Sequence, residues 1–231
     1  MKTFDLTTVY HKDRPLSWSA ISSFEWKPSE WHARYVLKKE IEPSPELLFG
    51  SYVDKKIQKD PKFLPNLVRY PVEQHEMRTE IKVPKTVDEE TGKVISPAFT
   101  IPLVGYADAY RPELPALRDY KTGRKPWDKK RADETGQLTM YALMLYLEHK
   151  IRPEDVEFYI DWMPTHVHEG KIAFIKERDI RTFKTKRTMK QVLEFGQRIK
   201  DTWLAMEEYA ARQADVVPHV KVKRPVSRLL K

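Results

Sequence analysis

The stretch Leu117-Arg118-Asp119-Tyr120-Lys121-Thr122-Gly123 decides the fold. It starts apolar, alternates, and stops at a glycine, the pattern of a short strand running into a turn. Side chains alternate faces along a strand, so Asp119 and Lys121 project to one side and Tyr120 to the other. A carboxylate beside an ammonium on a sheet face can bind a hard cation and hold a water next to it. Upstream, a second apolar run ends in Val104-Gly105-Tyr106-Ala107-Asp108. Only the short segment Arg111–Pro115, with two prolines, lies between the runs. They are therefore expected as neighbours in one sheet, with Asp108 close to Asp119.

Composition narrows the function classes. The chain has 231 residues, and Lys plus Arg exceed Asp plus Glu by 42 − 34, a formal charge of +8. Such a balance favours a polyanionic partner without specifying a fold. There is no cysteine, which excludes disulfides, thiolate zinc sites and any iron–sulfur cluster. The first residues, MKTFDLTTVYHKDRP, show neither a secretion nor a transit pattern. No apolar run approaches the ~18 residues of a membrane span. A cytoplasmic protein with no membrane association is expected.

Outward from the central strand, residues 17–39 read as two short helices divided by Pro28, with Ser17 or Ser19 as cap. Their aromatic residues suit core packing better than base stacking. Ser44-Pro45-Glu46 opens another helix, in which Gly50 suggests close approach to a neighbouring element. Asp54, four residues on, shares its face. It is either a solvated carboxylate or a third metal-facing one. A loop over 61–72 leads to strands over 75–83 and 99–110, a long antiparallel hairpin that delivers Asp108 to the sheet.

Beyond the central strand, residues 124–133 are basic, with Arg124, Lys125, Trp127, Lys129, Lys130 and Arg131. They read as a phosphate-gripping loop with a stacking tryptophan, or as a solvated loop with Trp127 tucked against the core. A helix is expected over 132–149, placing Gln137 and Tyr141 on one face. Strands over 155–163 and 171–176 are joined by a turn through His166, His168 and Gly170. Those two histidines lack a third partner and suit an exposed hairpin tip. A last helix over 187–213 buries Met189, Val192, Leu193, Phe195, Ile199, Trp203 and Met206. Residues 1–217 are expected as a single domain, and 218–231 as a basic tail able to reach a phosphate backbone.

Taken together, these residues resemble the RecB-like branch of the PD-(D/E)XK nuclease superfamily. The resemblance spans roughly residues 16–146. Its signals run in order: the serine-aromatic helix from Leu16-Ser17-Trp18-Ser19, the helix glycine Gly50 with Asp54, Gly-x-x-Asp at Gly105 to Asp108, Asp-x-Lys at Asp119 to Lys121, and Gln-x-x-x-Tyr at Gln137 to Tyr141. Any one of these motifs is weak; five in order on the expected element types are a strong signal. The family usually has histidine four residues after the helix glycine, where this chain has Asp54, and several relatives carry an iron–sulfur cluster that this chain lacks the cysteines to build.

The resemblance implies an α/β fold with a restriction-endonuclease-like core: a central mixed sheet of about five strands flanked by helices on both faces. It implies Mg²⁺ or Mn²⁺ held by Asp108 and Asp119, with Asp54 and the Tyr120 carbonyl assisting. Lys121 then positions or deprotonates the attacking water, or stabilises developing charge, while Gln137 and Tyr141 hold DNA backbone or orient Lys121. The implied activity is a DNA exonuclease acting on ends and leaving 5′-phosphates, in recombination, repair or phage DNA metabolism. The partners are DNA and, as companions, a helicase or a recombination or annealing protein. The chain has no Gly-Lys-Ser/Thr phosphate loop and so brings no ATPase. The alternatives are a structure-specific endonuclease with the same site, a catalytically weak DNA-binding subunit, and a protein outside nucleic-acid chemistry whose acid–lysine strand is fortuitous.

Overall fold

Three cap-forming sites set the first third of the chain in the computed structural model, which describes residues 4–175 and 179–216. Strand β1 (Leu16–Ser17) runs straight into helix α1 (Trp18–Trp26), where the Ser17 hydroxyl accepts the Ala20 N–H. Helix α2 (Pro28–Trp31) opens on a proline and continues as a π-helical turn over His32–Val36. Helix α3 (Pro45–Lys59) has proline at its first position and the Ser44 hydroxyl accepting from the Leu47 N–H at 3.2 Å. Each boundary follows from an unsatisfied first-turn N–H meeting a side-chain oxygen, or from a proline that has no N–H to satisfy.

The middle of the chain is the hairpin of β2 (Val72–Val83) and β5 (Phe99–Arg111), paired antiparallel from Val72 opposite Tyr110 to Val83 opposite Phe99. At its tip sits a small separate ribbon, β3 (Thr86–Val87) and β4 (Val94–Ser96), closed by a turn in which Asp88 accepts from the Glu90 and Thr91 N–H groups. Then come β6 (Ala116–Gly123), α4 (Lys129–Glu134), α5 (Gly136–His149), β7 (Glu157–His168), β8 (Lys171–Phe174), β9 (Arg181–Thr185) and α6 (Met189–Val216).

The central sheet is mixed and has seven strands. β6 runs antiparallel to β5 and parallel to β7, and α4 and α5 make the crossover between them. β8 and β9 pair antiparallel along successive parts of β7. One face carries the main core, where Leu138, Met140 and Leu145 of α5 meet Leu103 and Leu117 of the sheet, with Ile199 and Trp203 of α6 behind. The opposite face carries a smaller cluster under α3, built on Val53, Ile57 and Met163 with the Tyr120 ring against it. Helices thus cover both faces, as the sequence pattern indicates. No described helix is long and apolar enough to cross a membrane.

Several expectations need correction. The sheet has seven strands rather than about five, because β1 is only two residues long and β9 is a largely exposed edge strand with little apolar content. The helix expected over 132–149 is two helices. Thr135 leaves helical geometry with ψ 120°, and helix α4 begins inside the segment expected to be a loop, capped by Asp128. His166 and His168 lie on β7 rather than in the turn, which is made by Glu169 and Gly170, both with positive φ. Leu193 is exposed rather than buried on α6. The basic tail 218–231 lies outside the described residues.

The break before α5 explains Gly136. A Cβ there would lie 2.4 Å from the Trp18 ring. Alanine normally improves on glycine in a helix by up to ~1 kcal/mol. Here the clash reverses the sign, and Gly136→Ala is expected to cost about 1–3 kcal/mol. Urea denaturation checks this: a lowered midpoint at unchanged slope is expected.

Candidate active site

The edge of β5 that faces β6 is shared by two partners. β1 pairs at Leu103 and Val104, and β6 pairs only at Ala109–Arg111. Residues 105–108 have no strand partner on this edge among the described residues. The β5–β6 ladder ends at Ala109 opposite Arg118, one residue short of Asp108 and Asp119. The two strands fork there. Into the fork Asp108 turns its carboxylate, accepting the Tyr120 N–H at 2.5 Å. The N–H and C=O of one strand residue lie on the same edge, so the Tyr120 carbonyl faces the fork as well. The sequence-derived juxtaposition of the two strands holds, with the carboxylates gathered at the point where pairing stops.

Asp119 and Lys121 share the face covered by α5, as strand alternation requires. The Lys121 ammonium lies 2.7 Å from Asp119 Oδ2 and donates to Gln137 Oε1 at 2.8 Å. The Gln137 amide donates to Asp119 Oδ1 at 2.8 Å and to the Tyr141 hydroxyl at 2.7 Å. Tyr141 in turn donates to the Tyr106 carbonyl at 2.6 Å. Gln137 is thus the hub that fixes the acid–lysine pair, and Tyr141 anchors the hub to the open edge of β5. Gly105 permits this anchor, because a Cβ there would meet the Tyr141 ring at 2.8 Å.

Asp54 stands on α3, on the far side of the fork. It does not close into a ready-made cage: no three His, Asp or Glu side chains among the described residues already group as metal ligands. Gln74 of β2 joins it to the fork instead, its amide lying 2.9 Å from Asp54 Oδ1 and 3.3 Å from Asp108 Oδ1. Gly50 lets α3 approach β6, its Cβ position lying 3.3 Å from the Thr122 hydroxyl. A cavity of about 540 Å³ between α3 and the sheet is lined by Asp54, Asp108, Tyr120 and Lys121.

Burial dominates the electrostatics. Asp108 is pushed up to about 7, first by burial and then by the neighbouring Asp119 charge, with Lys121 and the Tyr120 N–H pulling the other way. Asp119 is also raised by burial, and the Lys121 ammonium offsets part of this. Asp54 is raised by burial too. Asp119 Oδ2 has the Lys121 ammonium 2.7 Å away as its counter-charge. Asp119 is buried and Asp108 half-buried, and one lysine is the counter-charge beside them, so the site's charge suits a further cation.

On the other side of Lys121 a groove of about 780 Å³ is lined by Trp18, Lys125, Trp127, Lys130, Arg131 and Arg198, among others. The expected basic segment lies here, with its charges partly committed. Arg124 pairs with Glu46 at 3.1 Å, Lys129 with Asp133, and Lys130 with Glu134 at 3.9 Å. Trp127 packs on the core while the Arg131 guanidinium sits 4.0 Å over its ring. That arrangement matches the tucked-in reading of Trp127. Both Trp127 and the guanidinium stacked on it line the groove.

Four supporting residues carry no short-range signal in the sequence. Gln74 is the first. Arg187 is fully buried and donates to the carbonyls of Ala132 and Thr135 at 3.0 and 3.2 Å and to Thr139 at 2.8 Å. It thereby fixes the α4–α5 break from which Gln137 projects, and burial pushes it down to about 10. Arg118 and Asp161 form a buried ion pair, Arg118 Nη1 donating to both carboxylate oxygens at 2.7–2.8 Å, that clamps β6 to β7 beneath the fork. An isolated charge in a strand gives no hint of its partner 43 residues away.

No known protein family matches the sequence, and no curated protein does. Among solved structures, the chain is similar to one described as "Putative exonuclease" from Eubacterium rectale, with 16% identity, 97% of this chain and 90% of that chain covered, and a TM-score of 0.49. It is also similar to SSO0001, with 12% identity, 83% and 76% covered, and a TM-score of 0.40.

A raised carboxyl pKa in the folded state means stability is present below the ordinary carboxylate range and is lost as pH rises through about 7. Asp108→Asn keeps an acceptor for the Tyr120 N–H and removes the charge. In EDTA at pH 8 it is expected to raise the melting midpoint by several degrees, since ~1 kcal/mol corresponds to about 2–4 °C at this size. The gain should vanish near pH 4. A pH series of thermal melts of both proteins checks it.

Proposed function

We propose that this chain is a divalent-cation-dependent DNA nuclease with a PD-(D/E)XK core of the RecB-like branch, acting on DNA ends. The observation that carries the reading is the fork. It gathers Asp119, Lys121, Gln137 and Tyr141 into one hydrogen-bonded unit, sets Asp108 on the Tyr120 N–H next to it, and opens beside a basic groove.

The donor set suits Mg²⁺ or Mn²⁺. These ions prefer oxygen ligands, and Mg²⁺ is commonly bound by one or two carboxylates with substrate phosphates completing its shell. Asp108, Asp119 and the Tyr120 carbonyl would hold the ion, with Asp54 nearby, and the ion would polarise a phosphoryl oxygen and acidify a water. The two carboxylates brought together where strand pairing stops, with the pKa of Asp108 raised, support that fit.

The chain's own groups supply the rest. Lys121, pinned by Asp119 and Gln137, presents its ammonium to the gap between the acidic cavity and the basic groove. From there it orients a water and stabilises charge gathering on the phosphoryl oxygens. Gln137 keeps the ammonium in place. Tyr141 is raised well above the ordinary tyrosine range by burial, so it stays protonated and serves as a fixed donor to the Tyr106 carbonyl. Lys125, Lys130 and Arg131 give the phosphate backbone a positive track toward Lys121.

End-labelled linear and circular DNA, single- and double-stranded, with Mg²⁺, Mn²⁺ or EDTA, tests this. Linear DNA is expected to be degraded only with the cation, while circles survive. Lys121→Ala should lower turnover by about 10²–10³-fold, the loss typical of one preorganised charge-stabilising donor, with DNA binding nearly intact. Cleavage of circles would make the enzyme an endonuclease. Undiminished turnover in Lys121→Ala would overturn the mechanism.

A further inference from the structure

Gln74 has two properties that no packing role accounts for. Its φ is +50°, a left-handed conformation that side chains other than glycine, asparagine and aspartate disfavour. The other described non-glycine residues with positive φ, Lys38, Leu64, Lys150 and Glu169, lie in loops, turns or helix ends. Gln74 alone lies inside a strand. It stands opposite Asp108 in the β2–β5 ladder, and that pair is missing from an otherwise continuous register. The backbone departs from the sheet at the one place where doing so turns a side chain into the fork.

What the side chain does there is specific. Its amide spans Asp54 Oδ1 and Asp108 Oδ1. The remaining oxygens of these carboxylates also have protein donors: Gln58 at 3.1 Å on Asp54 Oδ2, and the Tyr120 N–H on Asp108 Oδ2. A carboxylate oxygen has two lone pairs, so each keeps one for a cation while the donors fix its direction. Holding ligating carboxylates by hydrogen bonds from outside the ion's own shell is how proteins tune metal sites. Backbone strain retained at a functional constellation follows the same logic.

We infer that Gln74 is the positioning residue of the cation site, its amide bridging Asp54 to Asp108 so that both carboxylates are set before the ion arrives. The inference rests on the cation-dependent reading above. It also accounts for Asp54: a carboxylate that forms no ready-made cage with the others becomes part of the site through the bridge.

Mn²⁺ affinity, measured by calorimetry and by the paramagnetic resonance signal of free Mn²⁺ with no DNA present, tests this apart from activity. Gln74→Gly accepts the left-handed backbone and loses the amide. Gln74→Asn also tolerates that backbone but is one methylene too short to span both carboxylates. Both are expected to keep or raise the melting midpoint of the metal-free protein and to weaken Mn²⁺ binding by about 10–100-fold. Wild-type affinity in either variant would overturn the role assigned to the amide. Failure of the unmodified protein to bind Mn²⁺ would overturn the cation-dependent reading itself, and this inference with it.

Discussion

Everything in the site depends on the early end of one ladder. Had β6 paired with β5 along its whole length, the Tyr120 N–H would be spent on a backbone carbonyl and Asp108 would stand on a closed sheet. Because pairing stops at Ala109 and Arg118, the N–H points into a gap and a carboxylate accepts it. Buried backbone donors must find acceptors. In this fork the acceptor is an acid. The chain thus places negative charge where burial disfavours it, and the raised pKa values of Asp108 and Asp119 record that cost.

The fork stays open because its walls are held from outside. Arg118 and Asp161 clamp β6 to β7. The Tyr120 ring sits under α3, and its hydroxyl donates to the Val68 carbonyl at 3.0 Å. Tyr141 and Gln137 occupy the other face. α5 can deliver them only because the helix restarts at Gly136, against Trp18, under the carbonyls that Arg187 gathers. The N-terminal helices and α6 close this arrangement, with Arg198 forked onto Glu25 at 2.5–2.7 Å. Packing and ion pairs do this joining in a chain without cysteine.

Much of this was legible in the sequence, for identifiable reasons. Strand alternation fixed which face Asp119 and Lys121 share, and helical spacing put Gln137 one turn from Tyr141. Ser17, Ser44 and Pro45 marked helix starts because capping chemistry is local. The illegible parts depend on contacts between distant segments. Gln74 looks like any polar strand residue until its backbone turns over, and Arg187 looks like a surface arginine until five partners enclose it. Strand β9, Arg-Thr-Phe-Lys-Thr, has the composition of a solvated segment and becomes a strand because the edge of β7 needs a partner. The basic segment was legible as charge, but its pairing with Glu46, Asp133 and Glu134 was not.

Crystals grown with Mn²⁺ would test the central claim most directly, through the anomalous signal of the ion. The account predicts a peak in the fork, touching Asp108 and Asp119 and flanked by the Tyr120 carbonyl. A fork free of signal at saturating Mn²⁺, or a peak held elsewhere on the chain, would contradict it.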